Sequence, residues 1–188
     1  MAGGGLVAVS PALVPIPGGV RLLLIRHGST TWSEAGRLCG WSDVPLSIRG
    51  REEARALRAR AESLARGAWS SDLLRARETA GLAGLQAAPD PRLRELDFGA
   101  IDGARWEDLS VPLRDALTRF EGFRAPDGES VAELADRVGE FVSGLSPGVH
   151  VVVTHGGVIR LLLRGRALAD HVAPGETAWL QDQPAARS

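Results

Sequence analysis

The sequence predicts an α/β fold: a three-layer α/β/α sandwich with a mostly parallel central sheet. Two short apolar runs, residues 20–25 and 149–153, have the continuous hydrophobicity of strands that are buried on both faces. Helical patterns alternate with these runs along the chain, which favours parallel pairing. Soon after each run stands a histidine, His27 or His155, followed by glycine. Because ligands bind beyond the carboxyl ends of parallel strands, neighbouring strands of this kind would bring both imidazoles to one pocket.

Length and composition are those of a single globular domain. The chain has 188 residues, of which 44% are hydrophobic and 24% are charged. The composition of the two ends predicts a loose, flexible N-terminal extension over residues 1–19 and a tail over residues 182–188, which leaves one domain over residues 20–181. The formal net charge is -1, so no overall field favours nucleic acid or an anionic membrane as a partner.

The composition also excludes several kinds of chemistry. The chain contains no lysine, so neither a lysine Schiff base nor a P-loop lysine can operate. Its single cysteine, Cys39, permits no internal disulfide and fits a reducing, cytoplasmic location. The four histidines and Cys39 lack zinc-ligand spacing, so we predict no metal and no other cofactor. No run approaches the roughly 20 apolar residues of a membrane span.

The first half of the chain is predicted to hold two helices and a short strand after the first long strand. Residues 29–46 should form a loop with one helical turn, because they are rich in Gly, Ser and Trp and lack periodicity. Ser47 is the predicted N-cap of the next helix. The apolar face of that helix comprises Ala54, Leu57, Ala61 and Leu64. Residues 68–70 should form a brief strand, and Asp72 should cap a helix over residues 73–85.

The second half is predicted to begin with a chain break at residues 89–91, where two prolines stand. The clearest helix covers residues 130–145, because its apolar residues recur at helical spacing and its first residue forms a capping box with Glu133. Residues 156–163 are expected to form a short apolar helix packed under the sheet. Residues 176–181 are expected to form an edge strand.

The residues that follow the two long strands suit a phosphate monoester. Arg26 offers a planar fork of donors to phosphate oxygens, and backbone N–H groups from Gly156 onward point at an anion. A neutral imidazole can attack phosphorus, and nearby guanidinium groups favour its neutral form. A lone histidine is more often a hydrogen-bonded core residue. Two histidines at strand ends, His27 and His155, favour a catalytic site over that explanation.

Sequence motifs along most of the chain after residue 20 are similar to those of the histidine phosphatase superfamily, also called phosphoglycerate mutase-like. In chain order and in that family's order, they are Arg26-His27-Gly28 with Thr30 and Trp32, residues 40–47 with Gly50, residues 71–80, residues 93–99, residues 127–130 and residues 154–160. Within residues 71–80, two positions depart from the usual pattern: Asp72 stands where proline is usual and Glu78 where glutamine is usual. The resemblance implies the phosphoglycerate mutase-like form of the α/β sandwich.

The resemblance also implies roles for individual residues. His27 would be the nucleophile that becomes phosphohistidine, and Glu95 would protonate the departing oxygen and later activate water. Arg26, Arg75 and His155 would surround the phosphoryl group. Positioning and charge stabilisation of this kind are what phosphoryl transfer needs.

Some site residues remain open alternatives. Asp97 or Glu129 could act in place of Glu95. Ser33 and Cys39 stand where the family often has other phosphate-contacting residues, and a thiol is a weak donor. We predict that Cys39 lies near the pocket and that its oxidation lowers activity.

The resemblance leaves three functions open. A short lid between Gly103 and Gly128 favours a phosphatase, because an open pocket admits water. Residues 95–99 resemble α-ribazole phosphatases and broad-specificity phosphatases. The alternatives are a cofactor-dependent phosphoglycerate mutase and a non-catalytic phosphate-binding or interaction domain. The expected partner is a small-molecule phosphate ester, selected by residues 29–38 and 104–124, and the sequence is compatible with a homo-oligomer.

Overall fold

A computed structural model describes residues 14–59, 67–166 and 171–181. Its five strands are β1 (Val20–Arg26), β2 (Ala68–Ser70), β3 (Ala88–Pro89), β4 (Gly148–Thr154) and β5 (Thr177–Gln181). They form one sheet in the order β3-β2-β4-β1-β5, in which only β5 is antiparallel to its neighbour. The predicted mostly parallel sheet, its two long central strands and its edge strand at the end of the chain are therefore confirmed.

Helices cover both faces of this sheet. They are α1 (Thr31–Glu34), α2 (Ile48–Ala56), α3 (Leu74–Leu82), α4 (Val111–Arg119), α5 (Val131–Ser143) and α6 (Gly156–Leu163), with 3-10 turns at Pro91–Leu93, Gly99–Ile101 and Trp106–Asp108. Leu22 and Leu24 of β1 pack with α5 and α6 on one face, whereas Leu23 and Ile25 pack with α3 on the other. Alternate residues of one strand thus fill two separate cores, and the fold has the three layers that the sequence predicts.

Local signals fix several helix starts as predicted. The Ser47 side chain accepts a hydrogen bond from the Gly50 N–H at the start of α2. Ser130 and Glu133 form a capping box at the start of α5, whose predicted apolar face is buried. Helix α6 has the predicted bounds. Ala61 and Leu64, predicted for the apolar face of α2, lie outside the described residues.

The predicted cap of α3 is wrong. The Asp72 carboxylate accepts two hydrogen bonds from the Arg94 guanidinium, at 2.8 and 2.6 Å, and does not bond to the helix. The Leu74 N–H at the helix start instead donates to Asp43 Oδ1 at 2.6 Å. An ion pair with a residue 22 positions away thus replaces the local cap. Helix α3 itself has Leu73 as its N-cap and is shorter than the helix predicted over residues 73–85.

Two further elements differ from the sequence prediction. Ala88–Pro89 forms the outer edge strand β3, although a chain break was expected there. Proline is tolerated at a sheet edge because its missing N–H faces away from the ladder. Helix α4 lies in a stretch for which no element was predicted, and Pro112 stands in its first turn. Proline fits that position because the first N–H groups of a helix have no partner within it.

The N-terminal boundary predicted at residue 20 is also too late. Val14 and Ile16 are buried in the larger core, with exposures of 3% and 8%. The Arg166 guanidinium donates to the Val14 carbonyl at 2.8 Å, which ties this segment to the region after α6. Residues 14–19 are therefore packed. The extension and tail predicted over residues 1–13 and 182–188 lie outside the described residues. No helix within the described ranges is long and apolar enough to cross a membrane.

Candidate active site

The two predicted histidines meet where β1 and β4 end. These strands pair in parallel with Arg26 opposite Thr154, and the His27 N–H donates to the Thr154 carbonyl at 2.9 Å. The residue after each strand is therefore a histidine at the same edge of the sheet. The centroids of the His27 and His155 rings are 5.0 Å apart, with an angle of 62° between the rings. Strand register alone thus brings together two residues that are far apart in the sequence.

The hydrogen bonds of His27 define its tautomer. Its Nδ1 lies 2.7 Å from the Gly28 carbonyl oxygen, which can only accept a hydrogen bond, so Nδ1 carries the proton. Its Nε2 accepts a hydrogen bond from the Arg75 Nε–H at 3.3 Å. Burial and then the charge of Arg75 hold the pKa of His27 well below its ordinary value of 6.5. The ring is therefore neutral near pH 7, with a lone pair on Nε2.

Arg75 is fully buried on α3, and backbone carbonyls hold its guanidinium. Nη1 donates to the Ser42 carbonyl at 3.0 Å, and Nη2 donates to those of Cys39 and Gly40 at 3.1 and 2.6 Å. The loop that supplies these carbonyls is fixed by Asp102, whose carboxylate accepts hydrogen bonds from the N–H groups of Gly40 and Ser42. The positive charge beside His27 is therefore anchored by a rigid loop.

Arg26 and His155 supply polar atoms without partners. One nitrogen of Arg26, Nη1, donates to the Val172 carbonyl at 2.9 Å. Its Nε and both ring nitrogens of His155 are buried and unpaired, and within the described ranges Arg164 Nη1 is the one other buried side-chain atom of this kind. Burial, followed by the charge of Arg75, lowers the pKa of His155 well below 6.5. Buried polar atoms normally have partners, so these three nitrogens mark a place where a bound ligand could supply them.

Glu95 is placed at the same site by the start of α6. Both of its carboxylate oxygens lie 3.0 Å from the Gly157 nitrogen, and Oε1 also accepts from the Leu96 N–H. The N-terminus of a helix favours a negative charge. A Cβ at position 157 would overlap Glu95 Oε1, and a Cβ at Gly156 would lie 3.2 Å from Arg26 Cζ. The paired glycines therefore let both charged groups approach the helix start.

The alternative carboxylates have other partners. The Glu129 carboxylate accepts two hydrogen bonds from Arg137 of α5, at 2.7 and 2.8 Å. Asp97 Oδ1 accepts a hydrogen bond from the Gly99 N–H. Arg137 also donates to the backbone carbonyls of Arg92, Arg94 and Glu95. Glu129 and Arg137 thus hold the segment that carries Glu95, and Glu95 is the carboxylate that lines the pocket.

A pocket of about 630 Å³ opens above these groups, with Arg26, His27 and Glu95 in its surface. Arg75 and His155 are fully buried behind them. Ser33 and Cys39 line the pocket, as predicted for Cys39. The Ser33 hydroxyl, however, donates to the Thr30 carbonyl at 3.0 Å within the capping box of α1. A phosphate contact from Ser33 would require that bond to break.

The environment of Cys39 argues against the expected sensitivity to oxidation. Burial raises the pKa of its thiol from 9.0 to about 11, and the positive charge of Arg75 offsets this only in part. Peroxide reacts with thiolate rather than thiol. Because nearly all of Cys39 is protonated near pH 7, its oxidation is expected to be slow.

Sequence reasoning missed the residues that fix the His27 loop. The Gly28 N–H donates to Thr79 Oγ1 at 3.1 Å, and that hydroxyl donates to the Arg75 carbonyl at 2.7 Å. The Ser29 N–H donates to Glu53 at 2.7 Å. Thr79 stands one helical turn after Arg75, so its position within the arginine motif was a usable signal. Glu53 and Asp102 gave no such signal.

Comparison with known proteins identifies the family. The profile of the histidine phosphatase superfamily (branch 1) matches residues 22–178. The chain belongs to this superfamily. Its predicted resemblance to histidine phosphatases is therefore confirmed.

Two relatives of this chain carry the same name. "Probable phosphoglycerate mutase GpmB" of Yersinia enterocolitica is 33% identical over 161 residues, which cover 77% of this chain and 73% of the relative. The protein of the same name from an Enterobacter species is 37% identical over 128 residues, and the match covers 63% of this chain. This chain spans 60% of that relative's length.

Three solved structures are similar to this chain in fold. TTHB049 from Thermus thermophilus is 46% identical with a TM-score of 0.81, over 85% of this chain and 92% of the other. A chain named phosphoglycerate mutase from the same organism is equally identical over the same shares, with a TM-score of 0.80. A candidate alpha-ribazole-5'-P phosphatase from Escherichia coli is 26% identical with a TM-score of 0.73, over 86% of this chain and 90% of the other.

Proposed function

We propose that this protein is a metal-independent phosphomonoesterase that hydrolyses a small-molecule phosphate ester through a phosphohistidine on His27. The observation that carries the proposal is the 3.3 Å hydrogen bond from the Arg75 Nε–H to His27 Nε2, at a site where Arg26 and His155 have buried nitrogens without partners. A nucleophile, cations and a carboxylate at one place match the needs of phosphoryl transfer. Within the described ranges, no group of three or more metal-ligating side chains is positioned to hold an ion.

The proposed first step transfers the phosphoryl group to the enzyme. The lone pair on His27 Nε2 forms a bond to phosphorus while the ester P–O bond breaks. This step requires a proton on Glu95 in the substrate complex, although the helix start favours its carboxylate form. Glu95 gives that proton to the departing alkoxide. Arg26 and Arg75 stabilise the charge on the phosphoryl oxygens, and a ring N–H of His155 donates a hydrogen bond to the same oxygens.

The second step releases the phosphate. Glu95, now a carboxylate, takes a proton from a water molecule as its oxygen attacks phosphorus. The P–N bond breaks, its electron pair returns to His27 Nε2, and orthophosphate leaves. Glu95 is protonated again and ready for the next substrate. Hydrolysis needs an open pocket, which the short segment between Gly103 and Gly128 supports.

A phosphoglycerate mutase is the second candidate. It is favoured by the name of the Thermus chain, which is 46% identical over most of its length. The similarity to the Escherichia coli chain instead supports α-ribazole-5'-phosphate as a candidate substrate of a phosphatase. Re-transfer to a second alcohol and transfer to water share the first step, so only the fate of the phosphohistidine separates the two functions.

Phosphate release from p-nitrophenyl phosphate in the presence of a chelator tests the proposal. Activity should survive chelation and vanish in His27→Ala, whereas His150→Gln, a buried histidine outside the pocket, should retain it. Circular dichroism would check that each variant is folded. If the protein released phosphate from none of a broad panel of phosphoesters, that result would instead support a non-catalytic phosphate-binding domain. Rapid conversion of 3-phosphoglycerate with catalytic 2,3-bisphosphoglycerate would support the mutase.

A further inference from the structure

One wall of the pocket is built from two chain segments that are bonded to each other. The Leu38 N–H donates to the Ala104 carbonyl at 2.9 Å, and the Gly103 N–H donates to the Leu38 carbonyl at 3.0 Å. The Trp106 N–H donates to the Gly36 carbonyl at 2.8 Å. These bonds place Leu38 and Trp106 on the same wall, where both side chains line the pocket. The wall is therefore a fixed surface and not a loose loop.

The end of α4 supplies further apolar residues to the pocket lining. Leu117 and Phe120 line the pocket there, and Phe98 lines it as well. Phe120 adopts a positive φ of 65°, which is unfavourable for a bulky residue. The Arg160 guanidinium lies 4.8 Å from the centroid of its ring. A strained backbone that is kept at a pocket-lining ring suggests that the position of the ring matters.

Two arginines that line the pocket donate hydrogen bonds to backbone carbonyls. Arg37 Nη1 donates to the Gly103 carbonyl at 2.8 Å. Arg160 donates to the carbonyls of Leu117 and Thr118. Trp106 is 41% exposed and offers its indole to the pocket, whereas Leu117 and Phe120 are almost fully buried in the pocket lining. Such a surface gains most from a flat apolar group, because aromatic rings stack on one another in addition to burying apolar area.

We propose that the natural substrate is a phosphomonoester whose alcohol carries an aromatic ring, and that this ring packs against Trp106 and faces Phe98 and Phe120. The inference rests on the proposed phosphatase function and adds the class of the leaving group. The phosphate binds at His27, and the ring extends toward the wall.

Two esters with similar leaving groups isolate the contribution of the ring. The alkoxides of 2-phenylethyl phosphate and n-propyl phosphate have similar basicity, so their intrinsic reactivity nearly cancels. We expect kcat/KM to be roughly 10-fold or more higher for the phenylethyl ester, as burial and stacking of one ring predict. The cyclohexylethyl ester should fall between them, because it has the volume of a ring without its flat face.

Variants of Trp106 test where the ring binds. Trp106→Ala should lower the phenylethyl-to-propyl ratio of kcat/KM by roughly 5- to 10-fold. Trp106→Phe, which retains a ring, should restore most of that ratio. Trp179→Ala is the matched control, because Trp179 is similarly exposed, at 45% against 41%, and lies on β5 outside the pocket.

The outcomes separate this inference from the proposed function. Hydrolysis of both esters with equal kcat/KM would overturn the inference and leave the phosphatase intact. A clear preference for 3-phosphoglycerate over the phenylethyl ester would also overturn it, in favour of a second anionic group on the substrate. If Trp106→Ala left the phenylethyl-to-propyl ratio of kcat/KM unchanged, the ring would bind elsewhere, and its proposed position against Trp106 would be wrong. Hydrolysis of no ester would refute the phosphatase function, and the inference with it.

Discussion

The Nε–H of Arg75 donates to Nε2 of His27, at 3.3 Å, and so links the cation to the atom that would attack phosphorus. The same guanidinium is held by three backbone carbonyls and cannot move away. An incoming phosphate oxygen would take over the Nε–H, which frees the Nε2 lone pair at the moment of binding. Burial and the charge of Arg75 lower the pKa of His27, and we propose that Arg75 also contacts the substrate anion.

Arg75→Lys should therefore lower kcat by roughly 10²–10³-fold, the range for removal of one charge-stabilising donor. A lysine ammonium is a point charge and cannot satisfy the loop carbonyls while it also reaches His27. Steady-state kinetics with p-nitrophenyl phosphate would measure the effect, and thermal unfolding would show whether the variant is folded. Arg77→Lys, on the exposed side of the same helix, is the control. Near wild-type activity in a folded Arg75→Lys variant would remove Arg75 from the mechanism.

Glu95→Gln should lower kcat/KM by roughly 10²–10⁴-fold for an alkyl phosphate. The loss should be much smaller for p-nitrophenyl phosphate, because its leaving group needs little protonation. Comparison of kcat/KM isolates the first transfer step, in which Glu95 acts as the acid. An equal loss with both substrates would indicate that Glu95 binds the substrate but does not donate the proton.

Gly157→Ala should displace the Glu95 carboxylate, because the added Cβ would occupy the position of Oε1. We expect kcat to fall by at least roughly 10-fold, since small misplacements of a catalytic group are costly. Gly139→Ala in α5 is the control: its Cβ would meet nothing within 4 Å, and alanine is the better helix former. Unchanged activity in Gly157→Ala would mean that Glu95 tolerates a different position.

Buried neutral histidines should make the free energy of unfolding depend on pH. The pKa of both His27 and His155 is lowered in the folded protein, so below about pH 6.5 the unfolded chain binds protons that the folded chain does not. Stability should be fully present above that pH and should fall as the pH decreases, by up to about 1.4 kcal/mol per pH unit for each histidine. Paired carboxylates with a lowered pKa, such as Asp72, add a similar loss only below about pH 4.

Urea unfolding at pH 7.5, 6.5 and 5.5 would measure this slope within the window of the histidines. His155→Gln cannot titrate and should remove about half of it. If the free energy of unfolding did not change across this range, the two rings could not be buried in their neutral form.

The sequence predicted those parts of the fold that depend on local patterns. Strands β1 and β4 and helices α5 and α6 follow from hydrophobic periodicity and capping residues within each segment. The pairing of β1 with β4 then placed His27 beside His155. Helix α4 was missed because its nine residues carry no strong cap, and its N-cap, Ser110, makes no side-chain bond to the helix.

Side-chain contacts between distant loops and helices could not be predicted. Asp72 was expected to cap α3, but Arg94 pairs with it, and Asp43 from another loop bonds to the helix start. Arg137 holds the Glu95 segment through carbonyls that any residue type could supply, so no sequence pattern marks that role. Trp106 and Phe120 lie in the region that was expected to select the substrate, but their shared pocket depends on backbone pairing across the fold.

Direct mapping of the phosphorylated residue tests the central claim, that His27 carries the phosphoryl group during turnover. The enzyme would be mixed with excess p-nitrophenyl phosphate, quenched within milliseconds in alkaline denaturant, which preserves phosphohistidine, and analysed by peptide mass spectrometry. We predict one added phosphoryl group on the peptide that contains His27, and none in His27→Ala treated in the same way. Full turnover without phosphorylation of His27, or phosphorylation of another residue in its place, would contradict the account.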